Sequence, residues 1–253
     1  MLKKERQREI LKVVETSGKA EVEALAKKFH VAEMTIRRDL TELEKRGLLE
    51  RVHGGALIQN DRRGNESPVY DRLLERLEIK RRIGLAAAEL VRDGETIFLG
   101  SGSTTMAVAE ALGNLRNLTV ITNALNVADA LFHFPVKVIV LGGSLRRSEL
   151  SLIGDLTEKE IQGIQVDKII LGIRGIDPVK GLTSDSMEEI LTDQAILNIR
   201  KPKIVVADYT KIGRVAAIRT APITAITKLV TNTGGPKDVL QAIRQMGVDI
   251  LEV

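Results

Sequence analysis

Residues 21–58, EVEALAKKFHVAEMTIRRDLTELEKRGLLERVHGGALI, contain two short amphipathic helices, a tight corner between them and a basic hairpin behind. Val22, Leu25, Ala26 and Phe29 recur at i, i+3, i+4 and i+7, so they share one helical face. Ile36, Leu40 and Leu43 repeat that spacing, and His30-Val31-Ala32 leaves room only for a turn. Upstream, residues 3–16 carry Ile10, Leu11, Val13 and Val14 and read as a third helix. Gly47 is placed to stop the second helix of the pair. Leu48–Val52 and Ala56–Ile58 then read as strands around a His53-Gly54-Gly55 turn. Three helices and a hairpin in this order predict a winged helix-turn-helix.

At 100° per residue, the inward set Ile36, Leu40 and Leu43 leaves Met34, Arg38, Thr41 and Lys45 pointing outward, with Thr35 and Arg37 flanking them. A recognition helix reads base edges from its N-terminal turns. Arginine there suits guanine, threonine bonds a base edge or touches a thymine methyl, and methionine makes apolar contact. Arg51 and His53 sit where a wing meets phosphates. Taken singly, each cation also fits a plain solvated face. The corner, the basic outer face and the Gly-Gly wing together point to duplex DNA. Net charge adds little: residues 1–57 hold 13 Lys+Arg against 10 Asp+Glu, so placement matters more than the total.

Composition narrows the class. A chain of 253 residues is ample for a small module and a larger one. It has no cysteine, which excludes disulfides and thiolate chemistry. Two Tyr and no Trp exclude an aromatic platform for single strands. His30, His53 and His133 are scattered without ligand spacing, so no metal site is expected. MLKKERQREI lacks the apolar core of a secretory signal, and no apolar run approaches the ~20 residues that span a bilayer. A cytoplasmic protein without membrane contact is expected.

Residues 59–69 begin with the polar, Gly- and Pro-broken run QNDRRGNESP and read as a linker. A helical pattern runs from Tyr70 to about Arg92. From Asp93 onward, apolar runs at 96–99, 119–122, 136–141, 168–173, 203–207 and 228–231 alternate with helical stretches such as 104–112, 125–132 and 188–198. That texture predicts a mostly parallel sheet covered on both faces. The expected organisation is a winged helix-turn-helix domain over 1–58, the linker, and an α/β domain over 70–253 that binds an effector and oligomerises.

Ligands of open α/β sheets sit beyond the carboxyl ends of the strands. The first of those ends is Gly100-Ser101-Gly102-Ser103-Thr104-Thr105 leading into a helix, a candidate oxyanion cradle. It is not a Walker A loop, and Thr105 stands where a dinucleotide fingerprint needs its third glycine. A strand-to-helix turn with Ser/Thr capping is the alternative. Thr122-Asn123, Gly142-Gly143, Arg174-Gly175-Ile176-Asp177 and Asp208-Tyr209-Thr210-Lys211 end further strands. Several polar strand ends are what a polar pocket requires, although each alone also suits a turn or cap.

MTIRRDLTELEKRGLLERVHGGA resembles the N-terminal signature of the DeoR family of bacterial sugar-responsive transcriptional regulators. TIFLGSGSTT, TVITN, VIVLGG, LGIRGID, GLTSDSMEE and VVADYTKIG extend the likeness over residues 3 to 232. The resemblance implies an effector domain similar to ribose-5-phosphate isomerase. By it, Ser101, Gly102, Ser103, Thr104 and Thr105 hold a phosphate, while Asn123, Asp177, Glu189 and Lys211 face the sugar. Two positions depart from the pattern. Arg174 stands where relatives carry a small or acidic residue, and Asp193 where they carry Lys or Arg. Arg174 brings a guanidinium suited to a carboxylate or phosphate, unless the two changes merely exchange an ion pair.

The resemblance implies a repressor of carbohydrate genes. Its partners are double-stranded operator DNA, a phosphorylated small-molecule effector (a sugar phosphate in similar regulators) and a second copy or more, as homodimer or homotetramer. No cofactor is implied. A sugar-phosphate isomerase fused to a DNA-binding domain is the alternative, with Asp177 and Glu189 as proton carriers. Arg174 argues against it, since it would hold nearby carboxylates ionised and occupied.

Overall fold

The computed structural model describes residues 3–46, 48–52, 54–58 and 68–253, so the expected roles of Gly47 and His53 lie outside the described residues. The chain divides into two compact units, residues 1–77 and 78–253.

The first unit runs α1 (Lys3–Ser17), β1 (Lys19–Glu21), α2 (Val22–Phe29), α3 (Glu33–Lys45), β2 (Leu49–Val52), β3 (Gly55–Ile58) and α4 (Val69–Leu74). Ile10, Leu11 and Val14 of α1 join Leu25, Ile36, Leu40 and Leu43 in one buried core. His30 ends α2 in the left-handed region, at φ 54°, which turns the chain sharply into α3. The strands form an antiparallel sheet in the order β1-β3-β2. The hairpin of β2 and β3 was legible in the sequence; β1, three residues long, was not. Gly55 is required at the β1–β3 pair, because a Cβ there would stand 2.2 Å from the Ala20 carbonyl oxygen.

The helix expected over 70–92 is two helices. Glu75 is extended and Arg76 adopts φ 48°, so α4 ends at Leu74 and α5 (Leu77–Ala88) starts afresh. Leu74 packs on the core of the first unit, and Arg46 donates to Asp71 at 2.8 Å. These contacts hold α4 in the first unit, and the division falls after Leu77 rather than at residue 69.

The second unit is built on β4 (Thr96–Leu99), α6 (Ser103–Ala111), β5 (Thr119–Thr122), α7 (Leu125–Leu131), β6 (Lys137–Val140), a hairpin of β7 (Ser144–Arg146) and β8 (Ser151–Ile153), and α8 (Asp155–Gly163). It continues through β9 (Lys168–Gly172), β10 (Gly175–Asp177), β11 (Gly181–Ser184), α9 (Ile190–Asn198), β12 (Lys203–Val206), β13 (Ile218–Ala221), β14 (Lys228–Thr231), α10 (Lys237–Gln245) and β15 (Asp249–Glu252). Seven parallel strands lie in the order β15-β14-β12-β9-β4-β5-β6. Alternate residues face opposite sides. Ile97, Leu99, Val120, Ile170 and Val206 pack with Ile83, Val108 and Val127 of α5, α6 and α7. On the other face, Phe98, Ile121 and Ile169 meet Ile161 and Ile196 of α8 and α9, and Val205 and Leu229 meet Leu240 and Ile243 of α10. Both faces are covered over the inner strands, which is why those strands read as continuous apolar runs, while the edge strand β6 is largely exposed.

The strand order reverses at β4. From β4 the chain winds outward through β5 to β6, then returns to the other side of β4 as β9. The crevice beyond the carboxyl ends of β4 and β9 is therefore the topological switch point, where such sheets bind ligands. A small antiparallel sheet, β10-β11-β13, follows β9.

Candidate functional site

The outer face of α3 is sorted by its hydrogen bonds. Met34 is 60% exposed, and Arg37, Arg38 and Lys45 are exposed beside a half-buried Thr35. Arg37 is held by Glu33 at 3.2 Å. The Thr41 hydroxyl donates to the Arg37 carbonyl at 2.7 Å and accepts from the Arg51 guanidinium at 2.9 Å. Arg51 also stands 3.8 Å from Glu44. Thr41 thus ties the first wing strand to α3. Arg38 and Lys45 make no hydrogen bond or ion pair among the described residues.

Behind that face is a lock that sequence reasoning missed. Asp39 is 1% exposed and accepts from Arg6 at 2.5 Å and from Gln7 at 3.3 Å. Gln7 also reaches Glu42 at 2.9 Å, and Lys3 reaches Glu42 at 2.6 Å. The signal was present: Asp39 is three residues after Ile36 and four before Leu43, inside the apolar arc. A buried carboxylate there needs a buried cation, and Arg6 stands four residues before Ile10 on the inner side of α1.

In the second unit, the turn after β4 enters α6 through Gly102, which has φ 127° and no side chain to cap the helix. The Ser/Thr-capping alternative fails at this residue. The Thr105 hydroxyl turns back to the Gly102 carbonyl at 3.0 Å, and the Asn126 amide donates to the same oxygen at 3.4 Å. Ser103, Thr104 and Thr105 are all buried. Three backbone N–H groups at a helix start with no side-chain cap, plus the positive end of the helix dipole, form an anion-binding geometry.

Beside the turn stands a buried group of charges. Glu189 accepts from Ser101 at 3.3 Å, Ser151 at 3.2 Å and Arg146 at 3.3 Å. Arg146 also lies 3.8 Å from the exposed Glu188. Arg174, at the end of β9, pairs closely with Glu149. Arg146, Glu149 and Glu189 are each 7% exposed or less. Burial, then the charge of Glu149, pushes the Glu189 carboxyl above the usual carboxylate range. Burial and then Glu189 push Asp193 well above it. Arg146, Glu149 and Ser151 come from the β7–β8 hairpin, a segment whose mixed sequence, SLRRSELSLI, resembles a solvated loop.

The remaining expected residues separate. Asn123 is 2% exposed and donates to the Leu152 carbonyl at 3.0 Å, next to Ser151. Asp177 uses Oδ1 in the β10–β11 turn, accepting from the Val179 and Lys180 amides at 2.8 Å. Lys211 is half-buried in a short helical turn after β12, which Asp208 caps by accepting from the Thr210 amide at 2.9 Å. Hence the structure brings Ser101, Glu189 and Arg174 together with Asn123 alongside, and gives Asp177 a turn to hold.

A helix-turn-helix with a hairpin wing, joined in one chain to a parallel sheet with a charged crevice at its switch point, defines a DNA-binding transcriptional regulator with a sensor domain. The chain belongs to the DeoR family: residues 6–62 match the DeoR-like helix-turn-helix domain and residues 75–233 the DeoR C terminal sensor domain. It is 35% identical over 244 residues to the glycerol-3-phosphate regulon repressor of Escherichia coli, covering 96% of each chain. It is 34% identical over 235 residues to the lactose phosphotransferase system repressor of Streptococcus mutans, covering 92% of this chain and 93% of that one. Among solved structures, ribose 5-phosphate isomerase A of Methanocaldococcus jannaschii aligns over 53% of this chain and 54% of its own at a TM-score of 0.39 and 17% identity.

Proposed function

We propose that this protein represses genes of carbohydrate metabolism and lets go of its operator when a phosphorylated small molecule, of the sugar-phosphate class, fills the switch-point crevice. The observation that carries the DNA half is the outer face of α3, where Arg38 and Lys45 stand exposed without partners among the described residues. Arg38 contacts a base edge, with Met34 and Thr35 beside it. Arg37, Lys45 and Arg51 meet the backbone, and Thr41 orients Arg51. Charge placed this way fixes register through phosphates and reads sequence through few side chains. The copies act as a homodimer or homotetramer, so that two recognition helices meet half-sites about one turn, ~34 Å, or a multiple apart.

The effector's phosphate sits at the start of α6, on the N–H groups of Ser103, Thr104 and Thr105, with Asn123, Arg174, Glu189 and Lys211 around the rest. Differential affinity for the two DNA-binding states is the whole coupling, and values of ~1–3 kcal/mol are usual for such linkage. We read the protein as a sensor without turnover. Of the two carboxylates that proton transfer would use, Asp177 holds a turn and Glu189 accepts from Ser101, Ser151 and Arg146.

Selection of bound fragments from genomic DNA, followed by gel shifts with and without phosphorylated sugars, tests the proposal. We expect specific fragments, released by at least one sugar phosphate. Ser103→Asp should blunt that release and leave DNA affinity unchanged. Equal retention of random duplex at moderate salt would end the DNA reading, and turnover in a coupled isomerase assay would end the sensor reading.

A further inference from the structure

The two edges of the seven-stranded sheet are treated differently. β15, at one edge, carries charge: Asp249 pairs with Lys228, and Glu252 with Arg244 at 2.5 Å. Charged side chains are the usual guard on an edge that would otherwise pair with another chain. β6, at the other edge, reads Lys-Val-Ile-Val and lies largely open. Ile139 is 38% and Val140 41% exposed. Leu156 of α8, which packs at Gly142 just past the end of the strand, is 55% exposed.

The open backbone of β6 is confined to two residues. Lys137 and Leu141 donate inward, to the Leu118 and Thr122 carbonyls, at 3.0 and 2.9 Å. Alternate residues of a parallel strand bond the same neighbour, so the N–H and C=O groups of Val138 and Val140 point outward. They make no hydrogen bond among the described residues. Beyond them α8 closes the edge: the Gly142 N–H donates to Glu160 at 2.6 Å, and the Gly142 carbonyl accepts from Thr157 at 2.6 Å. An apolar strand edge with outward backbone groups is suited to the addition of one more strand.

Charge decides which strand fits. Lys137 is exposed and makes no hydrogen bond or ion pair among the described residues. It shares a sheet face with Ile139, since side chains alternate. That face is the one α8 covers, because Ile139 stands in register with Ile121, which packs with Ile161. Glu160, half-buried on α8, lies on the same face at the far end of the strand. Within one chain the two charges are kept apart, as residues 137 and 142 of an extended chain stand about 16 Å from each other. A second copy running antiparallel, related by a two-fold axis through Ile139, removes that separation. Lys137 of each copy then stands opposite Leu141 of the other, next to the Glu160 carboxylate on Gly142. In the same alignment Val138 of each copy exchanges both backbone bonds with Val140 of the other, and Ile139 meets Ile139. A step either way would set Val138 or Val140 against its own copy and leave the other opposite residue 136 or 142, outside the strand. As an edge guard Lys137 would do little, since it stands at the start of β6 and leaves Val138 to Val140 uncovered.

We infer that the β6 edge is an interface between two copies of this chain: the two β6 strands pair antiparallel about Ile139 and join the two sheets into one, with Lys137 and Glu160 matched across the axis at both ends. The inference rests on the reading above that the copies act together, and names the surface they share. Such an interface is isologous and closes on itself.

Sedimentation of the full chain over a concentration series tests this. The unaltered protein should assemble, and exchange of the Val138 and Val140 amides should slow as assembly proceeds. Ile139→Lys sets like charges face to face on the axis, and Lys137→Glu sets an acid against Glu160; each should raise the dissociation constant at least about tenfold. Lys137→Glu combined with Glu160→Lys should recover most of the loss, which no contact within one chain would do. Assembly unchanged in both single variants, exchange at Val138 and Val140 that does not slow, or a double reversal that recovers nothing while folded, overturns the inference and leaves the oligomer reading standing. An unaltered protein that stays monomeric throughout removes the oligomer reading and the inference together. Should Ile139→Lys or the double variant fail to fold, the exposed Lys137→Glu substitution and the amide exchange decide.

Discussion

The two units treat buried charge in opposite ways. In the first, Asp39 is matched by Arg6 and further bonded by Gln7, so the recognition helix rests on a finished network. In the second, burial holds the Glu189 and Asp193 carboxyls above the usual carboxylate range, and two buried amide oxygens, of Asn123 and Asn126, accept no hydrogen bond. A part that must present a fixed face to DNA gains from a closed network, since every member holds the others in place. A part that must respond to a ligand gains from a group that is incomplete until the ligand arrives. The comparison can be broken at either unit.

The largest expected effect lies at the finished network. Asp39→Ala leaves Arg6 buried without its counterion, and losing one member of such a pair costs ~3–5 kcal/mol. Denaturation of the full chain, with exchange protection followed on α1 and α3, should show the first unit opening early while the sheet domain keeps its stability. Full protection of α3 in the variant would mean that the Arg6–Asp39 pair carries little. The next effect is functional. Arg38→Ala should cost ~1–3 kcal/mol of operator affinity per half-site with unfolding unchanged, because the side chain is exposed and makes no hydrogen bond or ion pair among the described residues. Gel shifts showing undiminished specific binding would remove Arg38 from the reading face.

What was legible in the sequence follows the same division. Six strands of the large sheet stood out because both of their faces are apolar, as in KIIL at 168–171 or KIVV at 203–206. The seventh, DILE at 249–252, is an edge strand with charged ends and gave no such run. The α4–α5 break carries no Gly or Pro; it depends on Arg76 entering the left-handed region, which side-chain type does not announce. At the DNA face the outward residues followed from helical spacing alone. At the crevice, Ser101, Arg174 and Glu189 were named from strand ends and resemblance. Arg146, Glu149 and Ser151 were not, since the sheet order and the hairpin that bring them in are long-range facts. Asp177 was read as facing the sugar; its Oδ1 holds the β10–β11 turn, a role that Ile-Asp-Pro suits equally well.

A pH series sharpens the comparison. Glu189 and Asp193 hold their protons more firmly folded than unfolded, so between the ordinary carboxylate values and their raised ones the native state binds the extra protons. Stability of the sheet unit therefore rises as pH is lowered towards that ordinary range and falls as pH climbs through the raised values. The shifted acids of the first unit, Glu9, Glu23 and Glu42, move downward under Lys12, Lys27 and Lys3. Their contribution is present above the ordinary value and lost as acid is added below it. Thermal melts across mildly acidic to neutral pH should thus show the sheet unit gaining with acid, and Asp193→Asn flattening the slope. A sheet unit that only loses stability on acidification would show that Glu189 and Asp193 do not hold their protons more firmly in the folded protein.

The smallest effect tests the wing. Arg51 is 37% exposed at its side chain, is bonded to Thr41, and lies near Glu44, and an exposed pair of this kind contributes under ~1 kcal/mol to folding. If the guanidinium is turned towards a phosphate by Thr41, Arg51→Ala should weaken binding to all fragments alike and lower the salt slope by about one ion per copy. Thr41→Val removes the hydroxyl that orients Arg51 and leaves its charge, so it should weaken binding less while leaving the salt slope nearly intact. A change in fragment preference with Arg51→Ala would instead assign the wing a base contact, and the distinction between a sequence-reading α3 and a backbone-gripping wing would have to be redrawn.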